Sequence, residues 1–479
     1  MKLNQEVCYR ALRSRDARFD GRFFTAVSTT GIYCRPICPA RTPHRQNLTF
    51  YRTAAAAEAA GYRPCLRCRP ESTPGAPDWM PECDMVSRAL RRIQVGALDE
   101  GGVGELAATL GVGERHLSRL FRKHLGASPL AVARSRRAHF ARKLIGETRL
   151  PMTRIAFSAG YGSVRRFNAE VLRTFGRSPT ALRRRTKQGE ESDPMLGLLL
   201  PYRPPFSWSG LLGFLRPRCI PGVEQIENGR YLRTFRIGDE AGWLEIRHRE
   251  ERNAVLLRVP PEHPALLFPI SERVQRLLDL RADPGTISAH LPDLPVLRVP
   301  GAFDPFELAV RIVLGQQISV AAATTLAGRL VERFGDLCSF DRPAGLDRLF
   351  PAPELLARAD LVQIGLPRTR AAAIAGLSTQ VAAGELRLGP DSDPDQVRAQ
   401  LRSLPGIGGW TAEFICMRAL SFPDAFPASD LGLLKAAAPA GTKLTARQLE
   451  QQAERWRPFR AYAAMALWNQ LPTNGVPSE

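Results

Sequence analysis

The chain has 479 residues, with 67 Lys and Arg against 47 Asp and Glu, a formal charge of +20 and a pI near 10.3. That length suggests about three to four domains, and a hydrophobic content of 44% excludes a disordered basic tail. No segment is apolar enough to span a membrane, since the run from Leu196 to Leu200 stops at Pro201. The charge predicts a polyanionic partner held less tightly as salt rises, although a proteome biased toward Arg would look similar. Residues 1–6 (MKLNQE) are not followed by an apolar core, and Cys8, Cys83, Cys219, Cys338 and Cys416 are scattered. A reducing cytosol is therefore expected.

In chain order, the first signal is two cysteine pairs, Cys34-x3-Cys38 and Cys65-x2-Cys68, separated by 26 residues. Such pairs can bring four thiolates around one tetrahedral zinc. Arg35, Arg41, His44 and Arg45 flank the first pair, and Arg63, Arg67 and Arg69 the second. A metal knot in a basic setting points to nucleic acid. Spacing alone does not separate a reactive cysteine from a structural one.

Residues 29–36 (TTGIYCRP), 38–41 (CPAR) and 61–70 (GYRPCLRCRP) resemble the methylphosphotriester-accepting zinc domain of the Ada family, over about residues 5–72. The resemblance implies one Zn(2+) on Cys34, Cys38, Cys65 and Cys68, with Cys34 also the methyl acceptor. A Zn(Cys)4 cluster carries a formal charge of −2 and repels phosphate. Methylation of one sulfur leaves −1, so DNA binding is expected to tighten afterwards.

Residues 69–81 (RPESTPGAPDWMP) read as a linker. Residues 104–125 (GELAATLGVGERHLSRLFRKHL) place Leu106, Leu110, Leu117, Leu120 and Phe121 at helical spacing, with Gly111 at a turn. A weaker copy follows in residues 155–162 (IAFSAGYG) with Val164, Phe167, Val171 and Phe175. Residues 128–187 carry 15 Lys and Arg, including Arg134, Arg136, Arg137, Arg142 and Lys143, against Glu147 and Glu170. A helical bundle with a solvated basic face fits the same pattern. With Gly160-Tyr161 and residues 175–179 (FGRSP), residues 82–187 resemble the DNA-binding domain of the AraC family. Recognition helices are expected at residues 114–122 and 164–172, with Arg119 and Arg166 facing DNA.

Residues 186–194 (TKQGEESDP) read as a second linker. From about 196 to 298, runs such as 231–237 (YLRTFRI) and 254–259 (AVLLRV) read as strands. From Asp304 to about Trp468 the pattern is helical again. Residues 404–412 (LPGIGGWTA) predict a helix-hairpin-helix in which Gly406 and Gly408 let backbone N–H groups approach a phosphate.

Residues 421–434 (SFPDAFPASDLGLL) and 314–320 (LGQQISV) complete a resemblance to the AlkA branch of the HhH-GPD DNA glycosylases, over about residues 195–475. It implies a catalytic Asp430, an aspartate that could also cap the following helix. Asp424 is expected to face solvent or cap a turn. Trp410, Phe414 and Trp468 are expected to line a pocket for cationic alkylpurines such as 3-methyladenine, flipped out of the duplex; packing in the core is the alternative. Trp410 stands where strand-cleaving members carry lysine, so a monofunctional enzyme is expected. The resemblance places the DNA wedge in the loop 315–318, where polar Gln317 stands. The Pro-Cys-His-Arg tetrad of O6-methylguanine transferases does not occur in the chain.

The expected fold class is multidomain α+β. A zinc-bound α/β knot occupies residues 1–75 and an all-α double helix-turn-helix residues 82–187. A β-rich domain follows over 192–298, then an all-α helix-hairpin-helix domain over 299–479. The expected function is an alkylation sensor and transcription regulator fused to a monofunctional DNA-3-methyladenine glycosylase. Its partners would be damaged and promoter double-stranded DNA and RNA polymerase, in a nucleoid-associated cytoplasmic setting. The alternatives are a regulator whose glycosylase half only binds DNA, and a glycosylase whose N-terminal half only tethers it.

Overall fold

The computed structural model describes residues 4–75, 84–99, 101–184, 194–439 and 442–471. Strands are β1 (Phe24–Val27), β2 (Ile32–Cys34), β3 (Leu48–Tyr51), β4 (Arg63–Pro64), β5 (Leu196–Pro201), β6 (Glu224–Glu227), β7 (Arg230–Ile237), β8 (Glu240–Arg249) and β9 (Ala254–Val259). The chain divides into two compact units. One comprises Met1–Pro205, Leu244–Gln275 and Leu280–Ala282; the other comprises Phe206–Trp243, Arg276–Asp279 and Asp283–Glu479.

In the first unit, strands β3-β1-β2-β4 form a small sheet behind helix Gln5–Ser14, whose N-terminus is capped by Asn4. Aromatic and small side chains fill its core: Phe24 meets Tyr33 edge-on at 5.6 Å, and Ala57 of helix Ala54–Ala59 closes against them. The pairing of β2 with β4 is parallel, with Tyr33 opposite Pro64. That register is why the two cysteine pairs meet: Cys34 ends one strand, Cys65 follows the other, and the Cys65 N–H donates to the Tyr33 carbonyl at 2.9 Å.

The helical segment follows. Helices Val103–Thr109 and Glu114–Leu125 are joined through Gly111 at φ +71, and Met152–Ser158 and Val164–Phe175 through Gly160 at φ +82. Both glycines adopt the left-handed conformation such turns require. Leu106, Leu117 and Phe121 are buried with Val86, Leu90 and Ile93 of helix Asp84–Gln94. Phe167, Val171 and Phe175 are buried in the second copy.

Helix Pro129–Glu147 connects the two, capped by the Ser128 hydroxyl accepting from the Ala131 N–H at 3.2 Å. Its cations, counted in the basic surplus, are mostly turned inward. Arg137, Arg142 and Lys143 are buried, and Arg136 ion-pairs with Asp99 and lies 4.6 Å from the Phe268 ring; of the five singled out, only Arg134 is exposed. The helix is surrounded by partners on most sides, so its charges are spent on internal pairing. Its His139 meets Glu58 at 2.7 Å, and Glu58 accepts from the Tyr33 hydroxyl at 2.7 Å. Burial pulls the His139 pKa down, but the Glu58 charge outweighs it and the net shift is upward.

The first expected linker is only partly a free connector. Residues Pro70–Ser72 form a 3-10 turn with Pro70 buried; residues 76–81 lie outside the described residues, as does almost all of 186–194. Strand β5 pairs antiparallel with β9, and β9 with the later part of β8. Leu196, Leu198 and Leu200 point inward, so the short apolar run is an alternating strand.

In the second unit, β6 and β7 form an antiparallel hairpin. Helices Trp208–Leu215 and Pro284–His290 share the stretch expected to be mainly strand. The rest is helical from Pro305–Leu314 to Arg460–Trp468, with Asp304, Ser319, Asp393 and Thr445 as N-caps.

Candidate metal centre and candidate active site

The sulfur atoms of Cys34, Cys38, Cys65 and Cys68 all lie within 4.8 Å of one another. A tetrahedral ZnS4 site requires sulfur separations of about 3.8 Å, given Zn–S bonds of about 2.3 Å. The cluster therefore fits zinc with a small contraction. The four sulfurs are too close to be thiolates together unaided. Hydrogen bonding, first with Cys34, brings Cys38 down to about 7 and holds Cys65 far lower, while sulfur–sulfur hydrogen bonds push Cys34 and Cys68 far up. A bound cation resolves that competition. Cys38 and Cys68 are buried; Cys34 and Cys65 are half-buried.

Of the flanking cations, Arg41, His44, Arg45, Arg63 and Arg67 are exposed. Arg35 and Arg69 turn inward. Arg35 pairs with Asp20, and its Nη1 donates to the Cys68 carbonyl at 3.2 Å. Arg69 pairs with Glu71 at 2.9 Å. Arg119 and Arg166 are both exposed, on helices Glu114–Leu125 and Val164–Phe175.

The second site is built on three helices. Asp430 is the N-cap of helix Leu431–Ala437, its Oδ1 accepting from the Leu433 N–H at 3.0 Å. Two indoles converge on the same carboxylate. Trp410 Nε1 donates to Oδ2 at 2.9 Å, and Trp468 Nε1 to Oδ1 at 2.8 Å. Trp410 stacks on Phe414 with centroids 5.4 Å apart, and Phe414 meets Trp468 edge-on at 5.7 Å. All three rings are half-buried, so each keeps part of its surface exposed to solvent. The sequence grouped the three rings and named Asp430 apart from them; the fold joins all four in one cluster.

The hairpin is ready for close approach. Gly406 has φ +84, where an L side chain is strained, and an added Cβ would meet Ala373 at 3.0 Å. Around Gly408 and Gly409 nothing lies within 4 Å of an added Cβ, and helix Gly409–Arg418 has no side-chain cap. Its first N–H groups are left to a ligand or water. Gln317 is exposed at φ +57 in the loop before helix Val320–Phe334.

Several contributors had no sequence signal of their own. Gln316, beside Gln317, donates to the Gly406 carbonyl at 3.0 Å and the Thr411 hydroxyl at 2.9 Å, tying its loop to the hairpin. The buried Arg418 guanidinium lies 5.8 Å from the Phe414 ring and donates to the Pro300 carbonyl at 2.8 Å. Asp424 departs from the expectation of a solvent-facing turn residue. It is 6% exposed and accepts from Arg460 at 2.9 and 3.0 Å, with Arg457 also paired to it. A buried carboxylate needs such partners. This one anchors the corner to helix Arg460–Trp468, which carries Trp468.

Comparison with known families assigns these parts a class. Residues 7–71 match the metal binding domain of Ada, 106–185 a helix-turn-helix domain, 197–304 the AlkA N-terminal domain, and 310–458 the HhH-GPD superfamily of base excision DNA repair proteins. The whole chain is similar to the probable bifunctional transcriptional activator/DNA repair enzyme AlkA of Mycobacterium tuberculosis H37Rv. The two are 44% identical over 490 residues, covering 99% of this chain and 98% of that one. The chain belongs to that family. Its C-terminal part is 33% identical to DNA-3-methyladenine glycosylase 2 of Escherichia coli K12, covering 56% of this chain and 95% of that protein. Part of it is 34% identical to the bifunctional transcriptional activator/DNA repair enzyme Ada of the same strain, covering 33% of this chain and 43% of that protein.

Proposed function

We propose that the chain is an alkylation-damage sensor and transcription activator joined to a monofunctional DNA glycosylase, with Cys34 and Asp430 as the two reacting residues. The domains run over residues 1–75, 82–187, 192–298 and 299–479. The observation that carries the glycosylase reading is the convergence of two indole N–H groups on Asp430 within a half-buried aromatic cluster.

In the glycosylase half, Gly406 and Gly408 let the hairpin backbone grip a DNA phosphate without reading sequence. Gln317, exposed on the loop that Gln316 ties to the hairpin, contacts the DNA beside it. The extruded base lies against Trp410, Phe414 and Trp468, whose π faces favour an electron-poor alkylpurine. As the C1′–N bond breaks, its electron pair leaves with the base and neutralises it, and positive charge develops on the sugar. The Asp430 carboxylate stabilises that charge. Water then adds to C1′ and gives up a proton, leaving an abasic site. Three N–H donors fix the carboxylate, so it does not reorient during the reaction.

In the regulatory half, zinc bound by the four cysteines keeps their sulfurs as thiolates at neutral pH. The Cys34 sulfur attacks the methyl carbon of a phosphotriester. The S–C bond forms, the C–O bond breaks, and the electron pair restores the phosphate charge. The thioether leaves the basic module more attractive to DNA. Recruitment of RNA polymerase at the promoter completes the activator reading.

Base release from methylated duplex DNA, with identification of the released bases, tests the glycosylase. Release of 3-methyladenine is expected, with no strand cleavage and no borohydride-trapped adduct, because Trp410 offers no amine. Release of only oxidised bases, or a trapped adduct, would overturn it. Peptide mapping after incubation with methylphosphotriester DNA should place one methyl group on Cys34; methyl on Cys38, Cys65 or Cys68 would refute that assignment.

Arg119→Ala and Arg166→Ala should each weaken promoter binding by about 1–3 kcal/mol if they reach base edges. A titration at several salt concentrations separates this from phosphate contact, which would lower the salt slope by about one instead. Unchanged affinity and selectivity in both variants would mean that other faces enter the groove.

A further inference from the structure

Among the described residues, Arg203 heads the fully buried side chains by volume, with 0% of its surface exposed. It lies just after strand β5, within the segment matched to the AlkA N-terminal domain. Its guanidinium is spent on main-chain carbonyls. Nε donates to Asp20 at 2.8 Å, Nη1 to Arg281 at 3.1 Å, and Nη2 to Pro74 at 3.1 Å and Gly75 at 2.8 Å. Three of these four carbonyls belong to residues 1–75. The cradle is shaped for this side chain: Gly21 has φ +75, and a Cβ there would come within 2.4 Å of the Pro74 carbonyl and 2.8 Å of Arg203 Nη2. Burying a guanidinium is costly unless its donors are satisfied, so a fit this close signals a specific use.

The contact leads to the sulfur cluster through two residues, Asp20 and Arg35. Asp20 is 4% exposed. Its carbonyl accepts from Arg203, and its carboxylate accepts from Arg35 Nε at 2.9 Å and ion-pairs with the same guanidinium. Arg35 follows Cys34 in the chain. Its backbone N–H points at Cys68 Sγ at 3.4 Å, and its Nη1 donates to the Cys68 carbonyl at 3.2 Å. Metal ligands are oriented by such outer contacts, and loss of one typically costs about 10–100-fold in affinity or activity.

We propose that Arg203, supplied by the glycosylase half, is a positioning residue of the methyl-acceptor cluster, acting through Asp20 and Arg35. The damage sensor is then completed by the repair enzyme to which it is joined. The proposal rests on the acceptor reading above for its functional consequence, but not for the structural link.

The test uses the full-length protein with cadmium-113 in place of zinc, because the cadmium resonance reports the geometry and hydrogen bonding of its four sulfurs. Arg203→Met should shift that resonance, as should Asp20→Asn. It should also slow methyl transfer from methylphosphotriester DNA about tenfold at equal metal content. Arg203→Lys, which keeps the charge but has one donor nitrogen in place of the forked guanidinium, should give a smaller shift in the same direction and a partial recovery of rate. If Arg203→Met does not fold, Arg203→Lys carries the test. An unmoved resonance in either folded variant overturns the proposal, even where the transfer rate falls. A wild-type protein that accepts no methyl group would instead sink the acceptor reading, and the resonance would still decide whether Arg203 positions the cluster.

Discussion

Asp430→Asn should leave a folded protein that binds DNA and releases alkylated bases at least about a hundredfold more slowly. The substitution is informative because it separates the two jobs of this residue. Asn is as good an N-cap as Asp, so its oxygen can keep the bond to the Leu433 N–H and helix Leu431–Ala437 should persist. The same oxygen can still accept from Trp468 Nε1. On the other side the amide NH2 faces Trp410 Nε1, donor against donor, where the carboxylate accepts at 2.9 Å. The negative charge that meets the cationic sugar is gone. The Gly406 and Gly408 hairpin, proposed to grip a phosphate, is untouched. Single-turnover base release and binding to the same DNA, measured side by side, check both halves of the expectation. Full release activity in a folded Asp430→Asn protein would remove Asp430 from the mechanism and return it to the status of a cap.

Cys38→Ser should abolish stoichiometric zinc binding and unfold much of residues 4–75. The module has strands of two to four residues and core groups of only a few side chains, around Phe24, Tyr33 and Ala57 on one side and Cys8, Ala11 and Phe23 on the other. Cores of that size contribute little. A structural zinc contributes about 10–16 kcal/mol in small domains, far more than those contacts. Metal analysis of the purified full-length protein should read well below one zinc per chain. Hydrogen exchange should show lost protection in β1 to β4, while the core around Leu117 and Phe121 keeps its own. Wild-type zinc content with both Cys38 and Cys65 replaced would defeat the ligand assignment.

The two candidate sites differ in how they could be read. The metal centre was legible because its spacing carries its chemistry: two close pairs across a loop have few other uses. What spacing could not give was the parallel register of β2 and β4 that brings the pairs together. The active site was legible only in pieces. Asp430 opened a helix after a Pro-rich corner, and Trp410 and Phe414 lay four apart on one helical face. Trp468 lay 38 residues beyond Asp430, and the bond between them has no local signature.

The misread residues share one cause. Asp424 looked like a turn residue because it sits between Pro423 and a Phe-Pro corner, and its partners Arg457 and Arg460 are more than 30 residues away. Arg137, Arg142 and Lys143 counted toward a basic surface because charge was summed along the chain, yet they are buried. Burial depends on what packs against a helix: helix Pro129–Glu147 meets Asp99, Glu71 and the Leu199 carbonyl, and Lys143 also pairs with Glu147 one turn on in the same helix.

By itself, then, the sequence determined the four-cysteine spacing, the paired helix-turn-helix and the glycine-containing hairpin between helices. Each of these is a local pattern whose residue types and spacing are dictated by backbone geometry or by ligand chemistry. The tertiary structure alone decided which distant side chains share a hydrogen bond: two indoles on one carboxylate, an aspartate locked by two arginines, and Arg203 seated among the carbonyls of the sensor. Partners tens to hundreds of residues apart meet only when helices and sheets pack. No periodicity or spacing in the chain encodes that meeting.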